Sequence, residues 1–114
     1  MRFQLILLVL LITLAACQSG PDTKKIAIVG AKLIDGNGGA PIEHSIVLIE
    51  GATLMKVGAQ ASVPLPKDVE IVDGLGKTVE PSAGGASIEA GHPASFVLKS
   101  DSATRTMKDG QWLN

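Results

Sequence analysis

Few side chains in this sequence could carry chemistry. There is one thiol, Cys17, and there are two imidazoles, His44 and His92. A thiol can act as a nucleophile once it loses its proton, and an imidazole can serve as a base or a metal ligand. The two histidines lie far apart at loop-like sites, in no His-x-His or His-x-x-x-His pair. Such pairs place two ring nitrogens where one metal can bind both, so both histidines read as exposed loop residues. No Gly-x-Ser-x-Gly elbow is present. Asp35 and Asp73 each precede a glycine. They read as turn residues whose carboxylates bond nearby backbone. Val29-Gly30-Ala31 and Asp35-Gly36-Asn37-Gly38-Gly39 are glycine-rich, but no helical pattern follows to offer its N-terminus to a phosphate. Trp112 reads as a core or rim aromatic rather than a binding platform. The sequence therefore nominates no catalytic and no metal-binding residue.

Cys17 has a more specific context. Met1 and Arg2 precede a run from Phe3 to Ala16 in which only Gln4 and Thr13 are polar. The run is too short to cross a hydrocarbon core of roughly 30 Å as a helix, and it has the form of a secretory signal. It ends in Leu14-Ala15-Ala16-Cys17, which resembles the bacterial lipoprotein box. The resemblance implies cleavage before Cys17, transfer of a diacylglycerol to its thiol and acylation of the new amino group. Each buried CH2 contributes about 0.8 kcal/mol, so two or more chains anchor stably where one does not. Gln18 rather than Asp follows the cysteine. By the same resemblance this implies an exported, lipid-anchored protein at the periplasmic face of the outer membrane of a Gram-negative bacterium. Residues 17–24 read as a flexible tether, with Gly20 and Pro21 within it.

Composition narrows the partners. Net charge is −1 with scattered charges, and the aromatics are Phe3, Phe96 and Trp112 alone. No basic stripe and no set of stacking rings points to nucleic acid, and carbohydrate binding is equally poorly provided for. With one cysteine, no internal disulfide can form. The residues after the signal suffice for one small domain.

The elements that must position these residues are short. Apolar runs at Lys25–Val29, Lys32–Ile34, Ser45–Ile49, Thr53–Val57, Val69–Val72, Thr78–Val79, Ser95–Lys99, Thr104–Lys108 and Gln111–Leu113 read as strands between Gly, Pro and Asp. A turn at Glu50-Gly51-Ala52 and another at Asp109-Gly110 predict hairpins, the second because Asp-Gly suits a turn with both φ angles positive. Pro64 and Pro66 break the chain, and Pro81 to Gly91 reads as a loop. No apolar stripe at helical spacing follows the leader. The pattern predicts an all-β domain over 25–114, a sandwich or small barrel, preceded by a helical signal segment over 1–16.

Several pieces of this domain resemble metal-dependent amidohydrolases of the imidazolonepropionase and dihydroorotase kind. They are Val29 to Gly36, Gly38-Gly39, and Ile46 to Gly58 with its Glu50-Gly51 turn and Leu54-Met55-Lys56-Val57-Gly58. Ile71 to Val79 matches the family's Val-Asp-x-x-Gly-Lys-x-Val stretch. Gly85 to Gly91, His92 to Leu98 and Met107 to Leu113 resemble the family's late flank. In that family the two flanks form a small β-sandwich beside an inserted (β/α)8 barrel, which holds zinc or another divalent metal on histidines, an Asp and often a carboxylated Lys. Here Glu80-Pro81-Ser82-Ala83-Gly84-Gly85 stands where the barrel and its Asp-x-His-x-His would begin. The resemblance thus implies a composite β-sandwich whose flanks join near 81–88, with no catalytic residues and no metal ligands of its own.

Three readings follow. The chain is a truncated amidohydrolase-like lipoprotein without activity, the family activity being metal-dependent hydrolysis of carbon–nitrogen bonds. Alternatively it is a membrane-anchored interaction module, meeting a protein partner through the apolar face that loss of the barrel exposes. In the third reading, a separate chain supplies the barrel and the pair is active.

Overall fold

A computed structural model describes residues 24–113. The run read as a signal, Cys17 and nearly all of the stretch read as a tether lie outside the described residues. Within them all regular structure is β-strand: β1 Lys25–Val29, β2 Lys32–Leu33, β3 Ser45–Glu50, β4 Thr53–Ala59, β5 Glu70–Asp73, β6 Thr78–Pro81, β7 Phe96–Lys99, β8 Thr104–Lys108 and β9 Gln111–Trp112. Every run read as a strand from the sequence is one, with no end displaced by more than two residues. The strands form two sheets, ordered β4-β3-β1-β5 and β2-β6-β7-β8-β9. The arrangement is a sandwich.

Both predicted hairpins form. β3 and β4 pair antiparallel around Gly51, whose φ is 61°. β8 and β9 pair around Asp109 and Gly110, with φ of 48° and 82°. The Asp109-Gly110 turn also comes close to the other hairpin. A Cβ on Gly110 would collide with the Gly51 carbonyl, so only glycine allows the two turns to touch.

The sheets are linked by two crossings that run side by side. β1 passes to β2 through Gly30 and Ala31, and β5 passes to β6 through Gly74 to Lys77. β1 and β5 pair parallel in one sheet, and β2 and β6 pair parallel in the other. The crossings are tied by Gly74 N–H to Val29 O at 2.8 Å and Lys32 N–H to Lys77 O at 2.9 Å. A Cβ on Gly74 would lie 2.8 Å from the Ala31 Cβ, so the contact needs glycine there. A further link joins Leu54 N–H to His92 O and Ala94 N–H to Ala52 O, both at 2.8 Å.

The core between the sheets takes Ile26 and Ile28 from β1, Val47 and Ile49 from β3, Leu54, Val79, Phe96, Leu98 and Met107. Ile88 and Ala94, both outside strands, complete it. Trp112 stands at the rim. Its ring meets Phe96 edge-on at 6.2 Å, and the Arg105 guanidinium lies 3.9 Å from its centre. A second cluster forms on the far side of the first sheet, where Ala27, Ile46 and Leu48 pack under Val63 with Val69 at the margin. The proline-flanked segment between β4 and β5 is therefore a cover, not only a break.

Candidate functional site

One cluster of polar side chains lies beside the segment 81–88. β6 ends at Pro81. The chain then turns at once, with Gly85 N–H bonding Ser82 O at 2.7 Å. Ile88 follows, buried in the core, and its N–H bonds Asp35 O at 2.8 Å. Gly36 lies against both sides of this turn. A Cβ there would stand 2.7 Å from Pro81 Cγ and 3.6 Å from Ser87 Cα. The end of β6 and the start of the return path thus pass the same glycine.

Beside this point four side chains meet. Asn37 donates through Nδ2 to Glu89 Oε2. Ser87 Oγ donates to the same oxygen at 2.8 Å. His92 Nδ1 lies 2.9 Å from Ser87 O and 3.5 Å from Ser87 Oγ. A carbonyl oxygen only accepts, so Nδ1 carries the proton in that contact. The hydrogen bonds from Asn37 and then Ser87 hold the Glu89 carboxyl below the usual carboxylate range.

This set of Ser, His and Glu does not form a nucleophile. The Ser87 hydroxyl faces a carboxylate that binds protons weakly. The imidazole nitrogen nearest to it is already a donor to Ser87's own carbonyl, and no nitrogen is placed to take the hydroxyl proton. What the geometry does is join two loops, Asp35 to Gly39 and Ser87 to His92.

His92 was read as an exposed loop histidine, but it is half-buried in this cluster. His44 is exposed as expected. It adopts a φ of 48°, and its carbonyl accepts Gln60 N–H at 2.8 Å. It lines a shallow cleft with Glu43, Ala59, Gln60 and Ala61, in which His92 has no part. Asp35 and Asp73 are turn residues, their Oδ1 atoms accepting Asn37 N–H at 2.8 Å and Leu75 N–H at 3.0 Å. Among the described residues no three side chains of His, Cys, Asp or Glu converge, so this donor set does not suit a divalent metal.

Sequence reasoning singled out neither Asn37, Ser87 nor Glu89. The Asn37–Glu89 contact spans 52 positions, and only the path of the chain brings it together. The one local trace is Ser87-x-Glu89, a common pattern with little meaning alone.

No family model matches the chain, and no curated protein matches it. Among solved structures it is similar to molinate hydrolase, at 39% identity over 52% of this chain and 13% of that one, with a TM-score of 0.47. Phenylurea hydrolase B is similar at 38% identity over 51% and 13%, with a TM-score of 0.48. A prolidase complexed with N-methylphosphonate-L-proline is similar at 31% identity over 51% and 14%, with a TM-score of 0.44. The chain spans about one seventh of the length of these proteins.

Proposed function

We propose that this chain is the composite β-sandwich flank of an amidohydrolase-like protein, without the barrel and without catalytic activity of its own. One observation carries the reading furthest. Pro81 and Ser87 stand on either side of Gly36, so the chain leaves β6 and returns toward β7 at neighbouring points. An inserted domain enters and leaves its host through such points. The resemblance in sequence puts the family's barrel at this same position. The solved proteins that it resembles are hydrolases, and any hydrolysis of carbon–nitrogen bonds would need metal ligands that this donor set does not provide.

The test is direct. The purified full chain is assayed on N-acyl amino acids and cyclic amides with zinc and with EDTA. No turnover in either condition supports the proposal. Hydrolysis abolished by EDTA overturns it.

The proposal includes the anchor. Lipid on Cys17 would hold the sandwich at the periplasmic face of an outer membrane through the short tether that ends at Lys24. Labelled palmitate incorporated by the wild type and lost in Cys17→Ser supports this. Equal labelling of both sinks it.

The interaction-module reading has its own observation. Ile71 and Leu75 are exposed large apolar side chains in or just after β5, an edge strand. Ile71 shares the face of the first sheet that Val63 only partly covers. A protein partner for that face would be lost on Ile71→Lys, as read by co-purification from membranes.

A further inference from the structure

The chain has two asparagines, Asn37 and Asn114, and Asn37 is followed by Gly38 in an exposed loop. Asn37 is also the side chain that ties this loop to Glu89. We infer that Asn37 is a deamidation site, and that its conversion to a carboxylate opens the contact between the Asp35–Gly39 and Ser87–His92 loops.

The reaction needs only water. The Gly38 backbone nitrogen, deprotonated by hydroxide, bonds to the Asn37 Cγ. The Cγ–Nδ2 bond breaks, and Nδ2 takes a proton from water and leaves as ammonia. The product is a five-membered succinimide. Water then adds to one of its two carbonyls and breaks a C–N bond, leaving Asp or isoaspartate at position 37.

Three features of the loop suit this path. Gly38 has no side chain to crowd the ring, and nothing lies within 4 Å of where its Cβ would be. Its φ of 85° belongs to a turn rather than a strand. Among the described residues no backbone carbonyl accepts its N–H, so no such bond holds the nitrogen back from attack. Two contacts oppose it, Asn37 N–H to Asp35 Oδ1 and Nδ2 to Glu89. They hold the amide in place, so closure is slower in the fold than in the unfolded chain.

The consequence follows from charge. Glu89 loses a donor and faces a second carboxylate in its place, an arrangement in which like charges repel. Ser87 alone still donates to it. The Ser87–His92 segment is then held by His92, Ile88 and its backbone bonds.

The full chain, in lipid nanodiscs, is aged at mildly alkaline pH and followed by peptide mapping. The expected result is the NH2-to-OH mass change in the peptide carrying Asn37, with isoaspartate detected by enzymatic methylation. Its rate rises with hydroxide concentration and is severalfold higher in Glu89→Ala. A peptide that stays unchanged in the native chain, while it converts in denaturant, overturns the site. For the consequence, the aged wild type should show shifted amide resonances across Ser87–His92. Asn37→Asp should melt below the wild type, and Asn37→Asp with Glu89→Gln should recover most of the loss. Unshifted resonances, or equal melting of Asn37→Asp and wild type, overturn the opening of the contact.

Discussion

The two sheets of this sandwich bury different numbers of faces. The first, β4-β3-β1-β5, is buried on both at its central strands β3 and β1. Val47 and Ile49 of β3 point into the core, and Ile46 and Leu48 point the other way, beneath Val63. The second, β2-β6-β7-β8-β9, buries one face through Val79, Phe96, Leu98 and Met107. On its outer face the register aligns Thr78 with Lys99, and Glu80 with Val97 and Thr106. The Lys99–Glu80 pair at 3.3 Å lies on this face. The sequence shows the cause. β3 is a continuous apolar run, whereas β7 and β8 mix apolar and polar residues. Continuous runs suit strands covered on both sides, and alternation suits strands with one wet face. The difference teaches where a small domain finds its stability: the first sheet gains a second layer from a loop, at no cost in further strands.

Four measurements can break or sharpen this contrast. The largest effect belongs to a residue of β7 buried in the core between the sheets. Phe96→Ala empties the centre of the core, where Phe96 is fully buried, and should cost about 3–5 kcal/mol in urea unfolding. A smaller loss would mean that the sheets pack less closely around Phe96 than its full burial requires.

Next comes the direct comparison. Leu48→Ala, on the far face of the first sheet, should cost about 2–5 kcal/mol. Val97→Ala, on the outer face of the second, should cost less than about 1 kcal/mol because the side chain is only half-buried. Similar costs for the two would end the distinction between a doubly and a singly buried sheet.

Val63→Ala tests the cover itself. Loss of two methyl groups should cost about 1.6 kcal/mol. An unchanged midpoint would show that the β4–β5 segment does not shield Ile46 and Leu48.

The smallest effect lies at the junction and depends on pH. The Glu89 carboxyl is held below its usual range in the fold by Asn37 and then Ser87. A lowered folded pKa adds stability above the unfolded value, and this is lost as pH falls through the folded one. Glu89→Gln should therefore flatten the acid limb of the melting curve slightly and leave the neutral midpoint close to wild type, since the group is fully exposed. A large change at neutral pH would mean that the loop contact matters more than its exposure allows.

Much of the fold was legible in the sequence. Asp109-Gly110 specified its hairpin because the turn needs two positive φ angles, and Gly51 supplied the single positive φ of the β3–β4 turn. The strands were readable from apolar runs between turn residues. The sheet to which each belongs was not. β1 pairs with β5 across more than forty positions, and β2 with β6 likewise. Parallel pairing across a long separation leaves no local pattern, because it depends on how Gly30 and Gly74 let two crossings run against each other. The role of Val63 was hidden for a related reason: among prolines it looked like loop, and only its packing on Ala27, Ile46 and Leu48 makes it core.

The candidate site divides in the same way. By itself the sequence determined that one cysteine and two widely separated histidines are present, with no close-set histidine pair, because residue types and spacing along the chain are fixed before folding. It also determined that Asp35 and Asp73 would serve turns, an effect that reaches only two residues along the chain. Only the tertiary structure decided that Asn37 meets Glu89, and that Pro81 and Ser87 lie against Gly36. Those contacts join segments about fifty positions apart, and such distances close only when a common core draws both ends onto it.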